Sequence, residues 1–169
     1  MSTSNYEDVV IEYLRADRAL FVNTECCIEL NEAPNPDSSG PHWYCDAVVV
    51  DFRDAAVFLC EVTFANPPQS LYKRLSDWTA NWAGVCAALA RDCHLPSDWQ
   101  VRPWLFVPEE QVEWIVRRVR ELQRDAGSSE QLPEPRITPL ELVQPWKYKS
   151  WNREGEQAKP PTIPESMRV

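Results

Sequence analysis

Apolar positions recur along this chain with two different periods, and the switches between them predict its elements. Val9, Val10, Tyr13 and Leu14 fall on one side of a first helix, which Ser4 and Glu7 would open as a capping box. Residues near Cys26 to Leu30 alternate as a strand, and Pro34 to Pro41 forms a loop by composition. Two strands then follow back to back, over 43–52 and 55–64, with Arg53 and Asp54 at the bend. Asp46, Val48, Val50 and Phe52 share one face of the first strand. Ala55, Val57, Leu59, Glu61 and Thr63 share one face of the second. Beyond Pro67 and Pro68 the stripe Leu71, Leu75, Trp78, Trp82, Val85 and Leu89 marks a long helix. Val101 to Val107 reads as a buried strand, with Pro103 expected only at an edge or a bulge. After Pro108, the positions Val112, Ile115, Val116, Val119 and Leu122 carry a last helix to Gly127.

The order is helix, three strands, helix, strand, helix. A long helix between the third and fourth strands suits a parallel crossover, so the expectation is an α/β fold with a mixed central sheet flanked by helices. After Gly127 the composition shifts: seven of the fifteen prolines lie at or beyond Pro133. The expected organisation is one α/β domain over residues 1–131, followed by a Pro-rich strap and flexible tail over 132–169. No apolar run approaches the roughly 18–20 residues that span a bilayer. The N-terminus carries neither the basic nor the apolar region of a signal peptide, so a cytoplasmic protein without a membrane partner is expected.

Charge narrows the classes further. The net charge is −9, and it is uneven: residues 132–169 carry six Lys/Arg against five Asp/Glu, the first 131 residues eleven against twenty-one. An acidic body argues against broad, salt-driven adhesion to nucleic acid while leaving room for a local site. In the tail, Trp146 and Tyr148 alternate with Lys147 and Lys149. That pattern suits either base stacking beside phosphate contacts or a strap whose aromatics pack on the domain. The six cysteines form no Cys-x-x-Cys pair, and with His42 and His94 they match no standard zinc spacing; they read as small apolar side chains. With four glycines in the whole chain there is no Gly-rich phosphate loop.

The candidate chemistry lies in the hairpin. If Arg53 and Asp54 form a two-residue loop, Phe52 pairs with Ala55 and Asp46 falls directly across from Glu61, with Cβ atoms about 4.5–5.5 Å apart. Like charges in that position are destabilising unless a cation lies between them, and Mg²⁺ is bound through one or two carboxylates. The plainer alternative has Asp46 starting a strand and Glu61 on a solvated face. Asp51, beside the bend, reads as turn chemistry.

With this element order, with Cys45 and Asp46 leading an apolar strand, and with Glu61-Val62-Thr63 on the next, residues 5–125 resemble the PD-(D/E)XK nuclease superfamily, which has the restriction-endonuclease-like fold. The resemblance implies a Mg²⁺-dependent endonuclease, with Mn²⁺ as a possible substitute, that hydrolyses phosphodiesters in DNA or RNA. It implies Asp46, Glu61 and the Val62 carbonyl as metal ligands. It also implies an assisting role for Glu7 in the first helix, although the residues themselves favour Glu7 as the reciprocal partner of its capping box. The chain departs from the pattern at Thr63, which stands where the family has a lysine and carries no charge. Some members of the superfamily take the basic residue from the following helix. Lys73 lies there and is the only lysine before Lys147, so it is a catalytic candidate. On a helical wheel, however, it points roughly 200° from Leu71, and Arg74 lies nearer the apolar boundary. The alternative to an enzyme is a degenerate nuclease-like scaffold acting as an interaction module with a protein partner or a second copy of itself.

Overall fold

The computed structural model describes residues 3–31, 40–127 and 131–143. Most of the loop over 34–41 and the whole aromatic-basic tail over 145–153 lie outside the described residues, as do the side-chain contacts of the expected capping box. The fold is α/β. Helix α1 (Thr3–Arg15) leads into strands β1 (Leu20–Glu29), β2 (His42–Asp51) and β3 (Ala56–Val62). Helices α2 (Gln69–Ala80) and α3 (Trp82–Asp92) precede strand β4 (Gln100–Val107), and helix α4 (Val112–Asp125) precedes strand β5 (Arg136–Pro139). The five strands form one sheet in sequence order. β1, β2 and β3 are antiparallel, whereas β3–β4 and β4–β5 are parallel, so the sheet is mixed. Among the described residues no helix is long and apolar enough to cross a membrane.

Both faces of the sheet are covered, which is why β3 reads as a continuous apolar run and is buried at every position. On one face α1 lays Val10 and Leu14 against Ala47, Val49, Phe58 and Phe106. On the other, Leu71, Leu75, Trp78, Val85 and Ile115 of the three remaining helices close over Val48, Val57 and Leu59. Leu75, Trp78 and Val85 are fully buried, and each such side chain contributes about 1.5–3 kcal/mol.

Three features depart from the sequence expectation. The long helix is two helices. Its apolar stripe runs through unbroken, but the Asn81 side-chain amide takes the Asp77 carbonyl at 2.8 Å, while the Asn81 backbone N–H turns to Trp78. A side chain that competes for the helical acceptor in this way ends the run. Secondly, a short fifth strand lies beyond residue 131, in the segment read as strap. It pairs with β4 only from Trp104 onward, so Pro103 sits where β4 is still an edge. Thirdly, β1 starts at Leu20, earlier than expected, and changes face midway. Leu20 and Val22 pack toward α1, Cys26 and Ile28 toward the opposite helices, and Glu25 between them has a φ of 53°.

Candidate active site

The turn of the β2–β3 hairpin sets the register. Asp51 and Ala56 close the ladder, leaving four residues in the loop, with Ala55 at a φ of 49°. That is a longer loop than the two-residue bend expected, yet the pairing frame is the same: Val50 meets Val57, Val48 meets Leu59 and Ala47 meets Cys60. Asp51 is buried and accepts the Arg53 backbone N–H at 2.9 Å, so it is part of the turn, as its position suggested.

Beyond Ala47 and Cys60 the two strands part. β2 continues to His42 alongside β1, and β3 continues to Val62 alongside β4, where the Thr63 N–H bonds to the Phe106 carbonyl at 3.0 Å. Asp46 and Glu61 would be the next pair, and they lie at the base of this fork. Asp46 is opposite Glu25, the one position skipped in the β1–β2 ladder. Here β2 also exchanges faces, with Cys45 packing toward α2 and Ala47 toward α1. Asp46 therefore turns sideways within the sheet. Its Oδ2 accepts the Val62 N–H at 2.7 Å, replacing the bond that the parted strand no longer supplies.

Glu61 is buried on the helix side of the fork. Its Oε1 takes the Arg74 guanidinium Nη1 at 2.5 Å, and the same nitrogen donates to the Tyr44 carbonyl at 2.9 Å. The Cys45 thiol also bonds to the Glu61 carboxyl. Burial, aided by the Asp46 charge, pushes Glu61 up to about 8; Arg74 and Cys45 oppose that without cancelling it. Asp46 is raised too, chiefly by burial, against the pull of the Val62 amide and of Arg74. Glu7 of α1 is raised by burial and then by Asp46, which brings it into the same electrostatic group. The helix that carries it already includes Thr3, so Ser4 lies inside the helix rather than at its cap.

The structure thus brings together Asp46, Glu61, the Val62 backbone and Glu7. It does not bring Lys73, whose side chain is 79% exposed and pairs with Asp77 at 3.2 Å on the outer side of α2. Arg74 is the cation that reaches the carboxylates. The role of Cys45 was not anticipated, because strict alternation from Val48 sends it to the other face. The clue was the adjacent Cys45-Asp46 pair, which gives one residue to each side once the strand turns over.

A hard divalent cation could be held by one oxygen each from Asp46 and Glu61 together with the Val62 carbonyl. In an extended strand the N–H and C=O of one residue point to the same side, so this carbonyl opens toward Asp46. Two carboxylates and a carbonyl are a donor set suited to Mg²⁺. Among the described residues no three His, Cys, Asp or Glu side chains form a metal cage by themselves. No family model matches the chain, and neither a curated protein nor a solved structure is detectably similar to it.

Proposed function

We propose that this protein is a Mg²⁺-dependent nuclease of restriction-endonuclease-like fold, hydrolysing phosphodiesters of DNA or RNA at the fork between β2 and β3. One observation carries the reading: a half-buried and a buried carboxylate, Asp46 and Glu61, meet where the ladder opens; burial raises both, and the Asp46 charge raises Glu61 further. Groups so perturbed gather at catalytic and metal sites, because a resting structure gains nothing from crowding them. Asp46, Glu61 and the Val62 carbonyl would hold the ion. Once bound there, it would polarise a phosphoryl oxygen and lower the pKa of its water.

The remaining chemistry belongs to the chain. Arg74 takes over the electrostatic part of the absent lysine, fixing the Glu61 carboxylate and presenting permanent positive charge; it keeps its proton and cannot serve as a base. Glu7, raised from its ordinary value of 4.5, is the carboxylate suited to accept the proton of the attacking water. Thr63 is left with a turn contact, its Oγ1 accepting the Ala65 N–H at 3.2 Å.

Calorimetric titration of Mn²⁺ into the wild type and into Glu61→Gln tests this. The expected result is heat in the wild type that the variant abolishes, together with Mg²⁺-dependent cleavage of labelled DNA or RNA by the wild type. A second reading has its own support. Phe21 and Phe52 are 62% and 61% exposed, and Phe52 meets both Phe21 and Trp99 edge to face at the turn end of the hairpin. Such a patch suits a non-catalytic scaffold that binds a protein partner. Absence of heat and of cleavage in the wild type would overturn the nuclease and favour the scaffold.

A further inference from the structure

The six cysteines divide by their surroundings. Cys45 and Cys60 are buried, and Cys86 packs half-buried against the core on the helix side, as small apolar side chains do. Cys26 and Cys93 are placed differently. Cys93 is exposed at the C-terminal end of α3, where its backbone N–H bonds to the Leu89 carbonyl at 2.9 Å. Cys26 is half-buried on β1, sixty-seven positions earlier. The two side chains nevertheless meet: the Cys26 S–H donates to the Cys93 sulfur, a contact that raises Cys26 and draws Cys93 down. The Cys27 carbonyl is a second acceptor for Cys26, at a longer 3.9 Å. The meeting follows from the packing of α3 along the last part of β1. Gly84 lets the helix approach, since a Cβ there would stand 3.2 Å from the Leu30 side chain, and Arg91 Nη2 donates to the Glu29 carbonyl at 2.8 Å. Two packed elements therefore hold the thiols together, not the swing of one side chain.

Such a pair can be oxidised by a hydroperoxide. The accessible Cys93 thiolate attacks one peroxide oxygen and the O–O bond breaks, leaving a sulfenic acid and a hydroxide that takes up a proton. Cys26 then attacks the Cys93 sulfur, forming the S–S bond and expelling the hydroxyl group as a second water. Two thiols and one hydrogen peroxide give one disulfide and two waters, with two electrons passing from sulfur to oxygen. Burial raises both thiols, Cys26 to about 11, which slows the first attack at neutral pH. It also denies the reduced pair the thiolate stabilisation that makes a disulfide strongly oxidising. Cys45 is the rival partner, because it faces Cys26 across the β1–β2 ladder. It is buried, however, and its thiol is engaged with the Glu61 carboxyl.

We propose that Cys26 and Cys93 form a reversible cross-linking site, oxidised by hydroperoxide to a disulfide that staples the end of α3 to β1. Cys26 follows Glu25, which lies opposite Asp46, and it pairs with Cys45, so the staple fixes the strand flanking both carboxylates. The inference is independent of the nuclease reading, because its readouts are thiols and melting. The experiment treats the wild type, Cys26→Ser and Cys93→Ser with hydrogen peroxide at about pH 8.5, where more of each thiol is ionised. Remaining thiols are counted in guanidinium, bonds are mapped by mass spectrometry of unreduced peptides, and melting is followed with and without dithiothreitol. The wild type should stay monomeric, lose two of its six thiols and yield one bond between Cys26 and Cys93. Its melting temperature should rise by about 5–15 °C and return on reduction, because the bond closes a long loop. Neither serine variant should form an intramolecular bond or gain melting temperature. Retention of all six thiols, a bond to Cys45 or between two chains, or over-oxidation of Cys93 without a cross-link would each overturn the proposal. A mapped Cys26–Cys93 bond that leaves the melting temperature unchanged would overturn it too, since the staple would then hold nothing.

Discussion

At the turn end of the β2–β3 hairpin one buried carboxylate is surrounded by donors; at the open end two carboxylates share one guanidinium. Asp51 receives the Arg53 backbone N–H at 2.9 Å and the same residue's guanidinium Nε at 3.4 Å. Arg53 in turn reaches Asp17 at 2.7 Å, tying the bend to the segment after α1. Nothing there asks for a ligand. Asp46, half-buried, and Glu61, buried as Asp51 is, lie on the same strands, yet their donors are one backbone amide, one thiol and Arg74. Burial alone therefore does not mark a site. What distinguishes the open end is burial whose cost is left partly uncompensated, and the upward displacement of Glu61 registers that shortfall.

Substitutions at the two ends should separate activity from stability. Asp46→Asn keeps the shape of the side chain and an acceptor for Val62, so it should lower cleavage by about 10²–10³-fold while leaving the melting temperature within a few degrees. Asp51→Ala strips the bend of its acceptor and should cost about 1–3 kcal/mol, with cleavage below the melting temperature unchanged. At roughly 2–4 °C per kcal/mol that loss is visible in a thermal melt. The contrast between the ends collapses if Asp46→Asn loses stability as Asp51→Ala does.

A pH series sharpens the same comparison. The folded-state value of Glu61, about 8, lies above its ordinary 4.5, so between these values the folded state binds the proton more tightly than the unfolded chain. The stability contribution is complete below the lower value, falls as pH rises through the window and levels above the upper one. Glu61→Gln should flatten this slope, by at most about 1.4 kcal/mol per pH unit, in urea denaturation across pH 5 to 8. Identical profiles for wild type and variant would show that Glu61 titrates normally.

The smallest contrast is between neighbours on α2. Arg74→Met should lower cleavage at least about tenfold by removing the guanidinium bonded to Glu61. Lys73→Met should stay within about twofold, because an exposed i,i+4 pair with Asp77 carries little energy. Equal losses from the two would point to general surface charge rather than to a contact at the fork.

Much of this was legible in the chain. The pairing frame of the hairpin followed from alternation and the position of its bend, since the bend fixes which positions of the two strands meet. The stripe from Leu71 to Leu89 was read correctly in its buried positions, all six of which lie in the core. It failed to show the break at Asn81 because the apolar period is indifferent to a side chain that competes for one carbonyl. Strand β5 was missed for want of length: Arg136 to Pro139 is four residues, the last of them a proline and the first preceded by Pro135, too few for a period. The turnover of faces at Glu25 and Asp46 has no periodic signature either, since a positive φ on glutamate is set by the surrounding sheet. Arg74 was weighed against Lys73 by wheel angle, which gives the direction of Cβ and not the reach of a long side chain.

The topology also orders assembly in time. Asp46 and Glu61 are fifteen positions apart and meet through a tight hairpin, whereas β3 reaches β4 only across the forty-four positions that separate Ala56 from its partner Gln100. Closing the shorter loop costs less entropy, so the hairpin is expected to form before the crossover helices dock. In that interval the two acids meet without their guanidinium. The nascent hairpin is thus held together by its apolar rows against a local repulsion that a proton on either carboxylate relieves.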